Sequence, residues 1–196
     1  MKLVFASANQ KKLEEMRSAA PAGVQIVSML DLGITEEIPE TSGTLKGNAL
    51  QKARFVQERL NLPCFSDDTG LEIDFLEGRP GVDSAIYAGE PRSNQRNIAK
   101  VLGEMSNALQ RTARFKTVIA FVDGENTHYF EGEVEGVIGR EIRGEQGFGY
   151  DGIFHPVGNS RTFAEMHLEE KKLLSHRARA LAKFVEFLQT NNYRGE

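Results

Sequence analysis

Residues 3–12 read Leu3-Val4-Phe5-Ala6-Ser7-Ala8-Asn9-Gln10-Lys11-Lys12. The first four are an apolar run fit for a buried strand, and Ser7-Ala8-Asn9 is polar and turn-like. From Gln10 to Ala19 the apolar positions Leu13 and Met16 mark one face of a helix. Strand, polar turn, helix is the opening of an α/β fold.

The pattern continues outward. Val24–Val27 predicts a second strand and 31–43 a loop. Thr44–Leu60 predicts a helix, with Leu45, Ala49, Ala53, Val56 and Leu60 near one face and Pro63 beyond its end. Cys64-Phe65-Ser66 predicts a short strand entering a turn-like Asp67-Asp68-Thr69-Gly70, after which Leu71-Glu72-Ile73 alternates as a strand does. The Gly- and Pro-rich stretch 78–92 predicts a loop, and Asn94–Met105 a helix. Ala113–Asp123 and Thr127–Val137 predict a hairpin around Gly124-Glu125-Asn126. Gly144–Asp151 reads as a glycine-rich loop and Glu169–Leu188 as a helix. No repeat, low-complexity tract or linker interrupts the chain, so 1–196 reads as one domain. Its class is mixed α/β, an extended sheet with helices on its faces.

Composition narrows the function. Hydrophobic residues are 40% and charged residues 27% of 196, an ordinary globular balance. The net charge of −4, from 24 basic and 28 acidic residues, lacks the basic surplus of proteins that grip nucleic acid polymers. A single cysteine, Cys64, excludes an intrachain disulfide and favours a reducing compartment. The apolar opening is too short for a signal peptide and no stretch reaches membrane-spanning length, so the expected location is the cytoplasm. The expected partner is a small molecule, with no membrane and no nucleic acid polymer.

Five segments carry candidate chemistry. Ser7 to Lys12 places a helix start, with its unpaired N–H groups and the Lys12 cation, where an anion would be stabilised; N-capping by Ser7 or Asn9 explains the same residues. Asp67-Asp68 sets two carboxylates side by side, suited to Mg²⁺ and to general-base work, or to a solvated turn in which Gly70 supplies positive φ. Gly147-Phe148-Gly149-Tyr150-Asp151-Gly152 flanks two aromatics with small residues; a mobile loop of this kind presents rings to a nucleobase, while a tight turn packs them into the core. Lys171, Ser175, His176 and Arg177 cluster hydrogen-bond donors, or Ser175 caps the final helix. Asn48 and Lys52 lie one helical turn apart, and Lys52 is long enough to reach a phosphate.

Taken in order and spacing, these segments resemble the inosine-triphosphate pyrophosphatase family, the house-cleaning purine nucleoside-triphosphate pyrophosphatases, from residue 2 to about 188. The resemblance rests on Ser7-x-Asn9-x-x-Lys12, on Glu40-Thr41-x-x-Thr44 with Asn48-Ala49-x-x-Lys52-Ala53, and on Asp67 to Leu71. It continues in Pro80 to Ala85, Tyr87 to Glu90, Phe148 to Asp151, and Lys171 with Ser175-His176-Arg177.

The resemblance implies a long bent mixed sheet with two α/β lobes flanking a central substrate cleft, a homodimer and a Mg²⁺ requirement. It implies hydrolysis of ITP, dITP and XTP to monophosphate and pyrophosphate. Asp68 is the implied catalytic base, and Asp68 with Asp67 the implied metal ligands. The implied substrate contacts are Ser7, Ala8, Asn9, Gln10, Lys11, Lys12 and Lys52 for the phosphates. Thr69, Phe148, Gly149, Tyr150, Asp151, Lys171, His176 and Arg177 complete the substrate set. Two positions depart from the family. Many relatives carry Glu just before the Asn-Ala pair, where this chain has Lys46-Gly47, so the metal rests on Asp68, Asp67 and the phosphates or borrows a carboxylate such as Glu40. Relatives usually carry Arg where this chain has Ile86. Two alternatives stay open: a sensor that binds nucleotide without turnover, and a pyrophosphatase for another modified nucleotide.

Overall fold

The structure, a computed structural model, describes residues 1–191 and 193, the side chains at 168 and 172 excepted. Its strands are β1 (Lys2–Phe5), β2 (Gln25–Ser28), β3 (Cys64–Ile73), β4 (Pro80–Gly81), β5 (Thr112–Asp123), β6 (Asn126–Ile138) and β7 (Phe154–Pro156). Its α-helices are α1 (Gln10–Ala19), α2 (Leu45–Leu60), α3 (Asn94–Glu104), α4 (Leu168–Leu174) and α5 (His176–Thr190). The strands form one mixed sheet in the order β2-β1-β3-β5-β6-β7, with β4 beside β3. β1 pairs in parallel with β2 and β3, whereas β4 on β3 and β7 on β6 are antiparallel. The fold is mixed α/β, as the opening residues predict.

The chain divides into two compact units: Met1–Asp68, Thr117–Glu131 and Ala180–Glu196 form the first, Thr69–Lys116 and Gly132–Arg179 the second. In the first unit the β1–α1 opening sets the pattern. Leu3 and Phe5 pack with Leu13 and Met16 of α1, Phe65 of β3 and Phe184 of α5, while Val4, Ala6 and Cys64 pack with Val56 of α2. Alternate strand residues thus serve opposite faces of the sheet, one covered by α1 and the other by α2. In the second unit Leu71 and Ile73 of β3 join Ile98 and Val101 of α3, with Phe115, Phe154 and Phe163. Among the described residues no helix is long and apolar enough to cross a membrane.

Three expectations change. The Asp67-Asp68-Thr69-Gly70 turn is instead the middle of one ten-residue strand, and Gly70 is extended. The predicted 169–188 helix is two helices, broken where Ser175 turns extended (φ −70°, ψ 153°). The Ser175 hydroxyl accepts the Ala178 N–H at 3.2 Å, so this residue does cap the last helix. β4 and β7 are short strands inside stretches read as loop or left unread.

Candidate functional site

In the first unit, two lysines from two helices meet the carboxylates of β3. Lys12 Nζ lies 3.0 Å from Asp67 Oδ1 and Oδ2. Lys52 Nζ donates to Asp68 Oδ1 at 3.0 Å and lies 3.4 Å from Glu40 Oε1. The pairing follows from strand geometry: Asp67 shares the α1 face with Phe65, and Asp68 shares the α2 face with Cys64. Adjacent residues of a strand point apart, so the two carboxylates read as set side by side lean to opposite faces. Each carboxylate has its own lysine.

Asp68 differs from Asp67 in one respect: its Oδ2 is buried and has no hydrogen-bond partner. Burial lifts the Asp68 carboxyl above the usual carboxylate range, against the pull of Lys52 and Lys12. Burial works to lower Lys52, but Asp68, Glu40 and Asp67 together outweigh it, so its pKa rises and its charge is kept. Asp68 Oδ2 is thus a desolvated acceptor fit for a cation or a water proton.

The Glu40 loop is fastened to α2. Asn48, buried, accepts the Ser42 N–H at 3.1 Å and the Ser42 hydroxyl at 3.0 Å, and Gln51 Oε1 accepts the Thr41 N–H at 3.0 Å. A side chain at Gly47 would overlap Ser42 Oγ. The space beside Gly47 is thus taken by the loop that brings Glu40 to Lys52. At the helix start Asn9 accepts the Lys12 N–H at 3.2 Å and donates its own N–H to Ser7 Oγ at 3.2 Å, the capping expected of those residues. Ala8, Gln10 and Lys11 are exposed beside them.

In the second unit, Phe148 is half-buried, with Lys171 Nζ and the Arg177 guanidinium each 5.4 Å from its ring centre. Arg177 donates to the Thr69 hydroxyl at 3.3 Å. Asp151 Oδ2 accepts from Lys171 Nζ and from the Phe148 N–H, both at 2.8 Å, with both charged side chains buried. Gly147 is left-handed (φ +75°), and a Cβ there would overlap the Asp151 carboxylate. Of the two readings of this stretch, the tight turn is the one found, latched across Gly147, Phe148, Gly149 and Asp151 with Phe148 left half-buried. Three predicted contacts point inward. The Asp151 carboxylate is taken by Lys171 and Phe148; the buried Tyr150 hydroxyl donates to the Ser84 carbonyl at 2.8 Å; the buried His176 ring stacks on Phe115 at 4.6 Å. Ile86, at the position of the family arginine, is a surface residue of the turn after β4. Asn97 of α3 escaped sequence reading; a buried Asn within an otherwise apolar helix face is the signal that marks it.

Among the described residues no three His, Cys, Asp or Glu side chains gather as a metal cage.

The sequence matches the Ham1 family over residues 3–187. It is 50% identical over 188 residues to a dITP/XTP pyrophosphatase of Porphyromonas gingivalis, covering 95% of this chain and 97% of that one. To the dITP/XTP pyrophosphatase of Bacillus subtilis it is 45% identical over 190 residues, with 95% and 96% covered. The solved Ham1 protein of Staphylococcus aureus superposes with a TM-score of 0.89 at 35% identity, covering 97% of this chain and 100% of that one.

Proposed function

The chain belongs to the Ham1 family, and from that premise we propose that it hydrolyses the non-standard purine nucleoside triphosphates ITP, dITP and XTP to monophosphate and pyrophosphate. The observation that carries the chemistry is Asp68, with one oxygen on Lys52 and the other buried without a hydrogen-bond partner. The relatives' names speak for turnover, and no observation favours a sensor or another nucleotide class.

Charge balance supports a divalent cation. Lys12 and Lys52 face three carboxylates, Asp67, Asp68 and Glu40, so the set alone repels a triphosphate. Asp68 and Glu40, with the substrate's own phosphate oxygens, would hold Mg²⁺. When bound, Mg²⁺ supplies positive charge against the phosphate oxygens as the leaving group departs.

The protein's own groups do the rest. Lys12, Lys52 and the backbone from Ser7 to Lys12 would bind the phosphates and fix the α-phosphorus in line with the attacking water. Asp68 would take the water proton; desolvation makes it a better base than an exposed aspartate. Asp67 would orient Lys12. On the base side Phe148 would stack, and Arg177 and Lys171 would donate to the C6 oxygen of hypoxanthine or xanthine. Adenine carries a donor amine at that position and leaves those donors unpaired, a mismatch worth up to ~10⁴–10⁵-fold in discrimination. Guanine shares the C6 oxygen, so its rejection falls to its 2-amino group. The same family likeness supports a cytoplasmic homodimer of the 21.8 kDa chain, which light scattering of the purified protein tests.

Product analysis tests the reaction. ITP should give IMP and pyrophosphate in equal amounts, with turnover abolished by EDTA and restored by Mg²⁺. IDP and orthophosphate as products would refute it.

A further inference from the structure

The stretch from Pro80 to Glu90 holds two of the sequence motifs, yet none of its residues has a part in the chemistry above. Its buried member Ser84 is a junction. The Ser84 hydroxyl accepts the Leu71 N–H of β3 at 2.9 Å and donates to the Gly81 carbonyl at 2.6 Å. Its carbonyl accepts the Tyr150 hydroxyl at 2.8 Å and the Asn97 Nδ2 at 3.2 Å. Asn97 spends its whole amide on this turn: Nδ2 also donates to the Ala85 carbonyl at 3.0 Å, and Oδ1 accepts the Ala88 N–H at 2.8 Å.

What hangs from Ser84 is the base side of the site. Leu71 lies two residues beyond Thr69, whose hydroxyl holds Arg177. Tyr150 lies two residues beyond Phe148 and next to Asp151, which holds Lys171. Phe148, Lys171 and Arg177 are thus each tied to one serine through a short series of hydrogen-bonded residues, and Asn97 fixes that serine from α3. Buried and fully paired polar groups of this kind hold one arrangement rigidly, because any other leaves a donor or acceptor unpaired.

We propose that Ser84 and Asn97 are positioning residues for base recognition, joining the strand that carries Thr69 to the turn that carries Phe148 and Tyr150. The inference rests on the purine-triphosphate reading given above. Neither residue touches substrate, so their loss is read in KM and base preference more than in the rate at saturation.

The test compares wild type, Asn97→Ala and Tyr150→Phe with ITP and ATP. Tyr150→Phe removes only the hydroxyl and keeps the ring in the core, so it decides the matter if Asn97→Ala fails to fold. Loss of one hydrogen bond predicts a KM for ITP about 3–10-fold higher and an ITP-over-ATP preference reduced by a similar factor, with kcat within about twofold. Hydrogen exchange at the 147–151 amides should quicken by about 10-fold in Tyr150→Phe for the same reason. A folded Tyr150→Phe with wild-type KM, preference and exchange overturns the inference while leaving the reaction intact. A wild type without preference for ITP overturns the functional reading itself, and this inference with it.

Discussion

Asp151→Ala is the most informative single change in the second unit. The Asp151 carboxylate accepts from two groups at once, the Lys171 ammonium and the Phe148 N–H, both at 2.8 Å. Both charged side chains are at most 8% exposed, so solvent does not take over when one is removed. Removing one partner of a buried pair leaves an uncompensated charge and costs about 3–5 kcal/mol. The orphaned Phe148 N–H lies at the lower end of the usual ~1–3 kcal/mol, since that residue is half-buried. The total is about 4–6 kcal/mol, and for a chain of this size about 2–4 °C of Tm is lost per kcal/mol, so Asp151→Ala should melt about 8–24 °C below wild type by calorimetry. Replacing both members of a buried pair with apolar groups is far cheaper than removing one. Asp151→Ala with Lys171→Met should therefore recover a good part of that loss, though not the affinity for ITP. A fall under about 1 kcal/mol for the single variant, or a double variant no better than the single, would refute the reasoning.

Three further outcomes follow from the same geometry. Asp68→Asn keeps the shape but not the basicity, so kcat for ITP should fall by about 10²–10⁴-fold in a protein that still melts cooperatively; near wild-type turnover would remove Asp68 as the base. Gly47→Glu puts back the carboxylate that relatives carry, but Ser42 must swing out and release Asn48, so the variant should lose about 1–3 kcal/mol in urea titration, with Ser42→Gly in the same chain restoring most of it. Cys64 is fully buried and its thiol is pushed up to about 12 by burial, so iodoacetamide at pH 8 should label the unfolded chain and spare the native one; rapid native labelling would contradict that burial.

Much of this was legible in the residues. The strand–turn–helix opening, the α2 face and the long hairpin follow from periodicity, and the order of the motifs points to the family. The failures have physical causes. Asp67-Asp68-Thr69-Gly70 has the composition of a turn, yet β3 is paired just before it with β1 at Cys64 and Phe65 and just after it with β4 at Leu71 and Glu72, and two lysines take its carboxylates, so tertiary context overrode local preference. Gly147 and Gly149 fit a mobile loop or a tight turn alike, and the latch that decides for the turn is Lys171, twenty positions past Asp151, a separation that leaves no mark in local composition. The helix read from Glu169 to Leu188 ran on through Ser175, although the capping role also read for that residue is the sign that one helix ends and another begins there.

The central claim is that this chain removes non-standard purine triphosphates by cutting between the α- and β-phosphates. Its most direct test is pyrophosphate release, with orthophosphate counted separately, from ITP, dITP, XTP, ATP, GTP and dUTP in the presence of Mg²⁺. The account predicts rapid pyrophosphate from ITP, dITP and XTP, little from ATP, GTP or dUTP, and no orthophosphate. Equal rates on ATP and ITP, or no turnover of any purine by the folded protein, would contradict it.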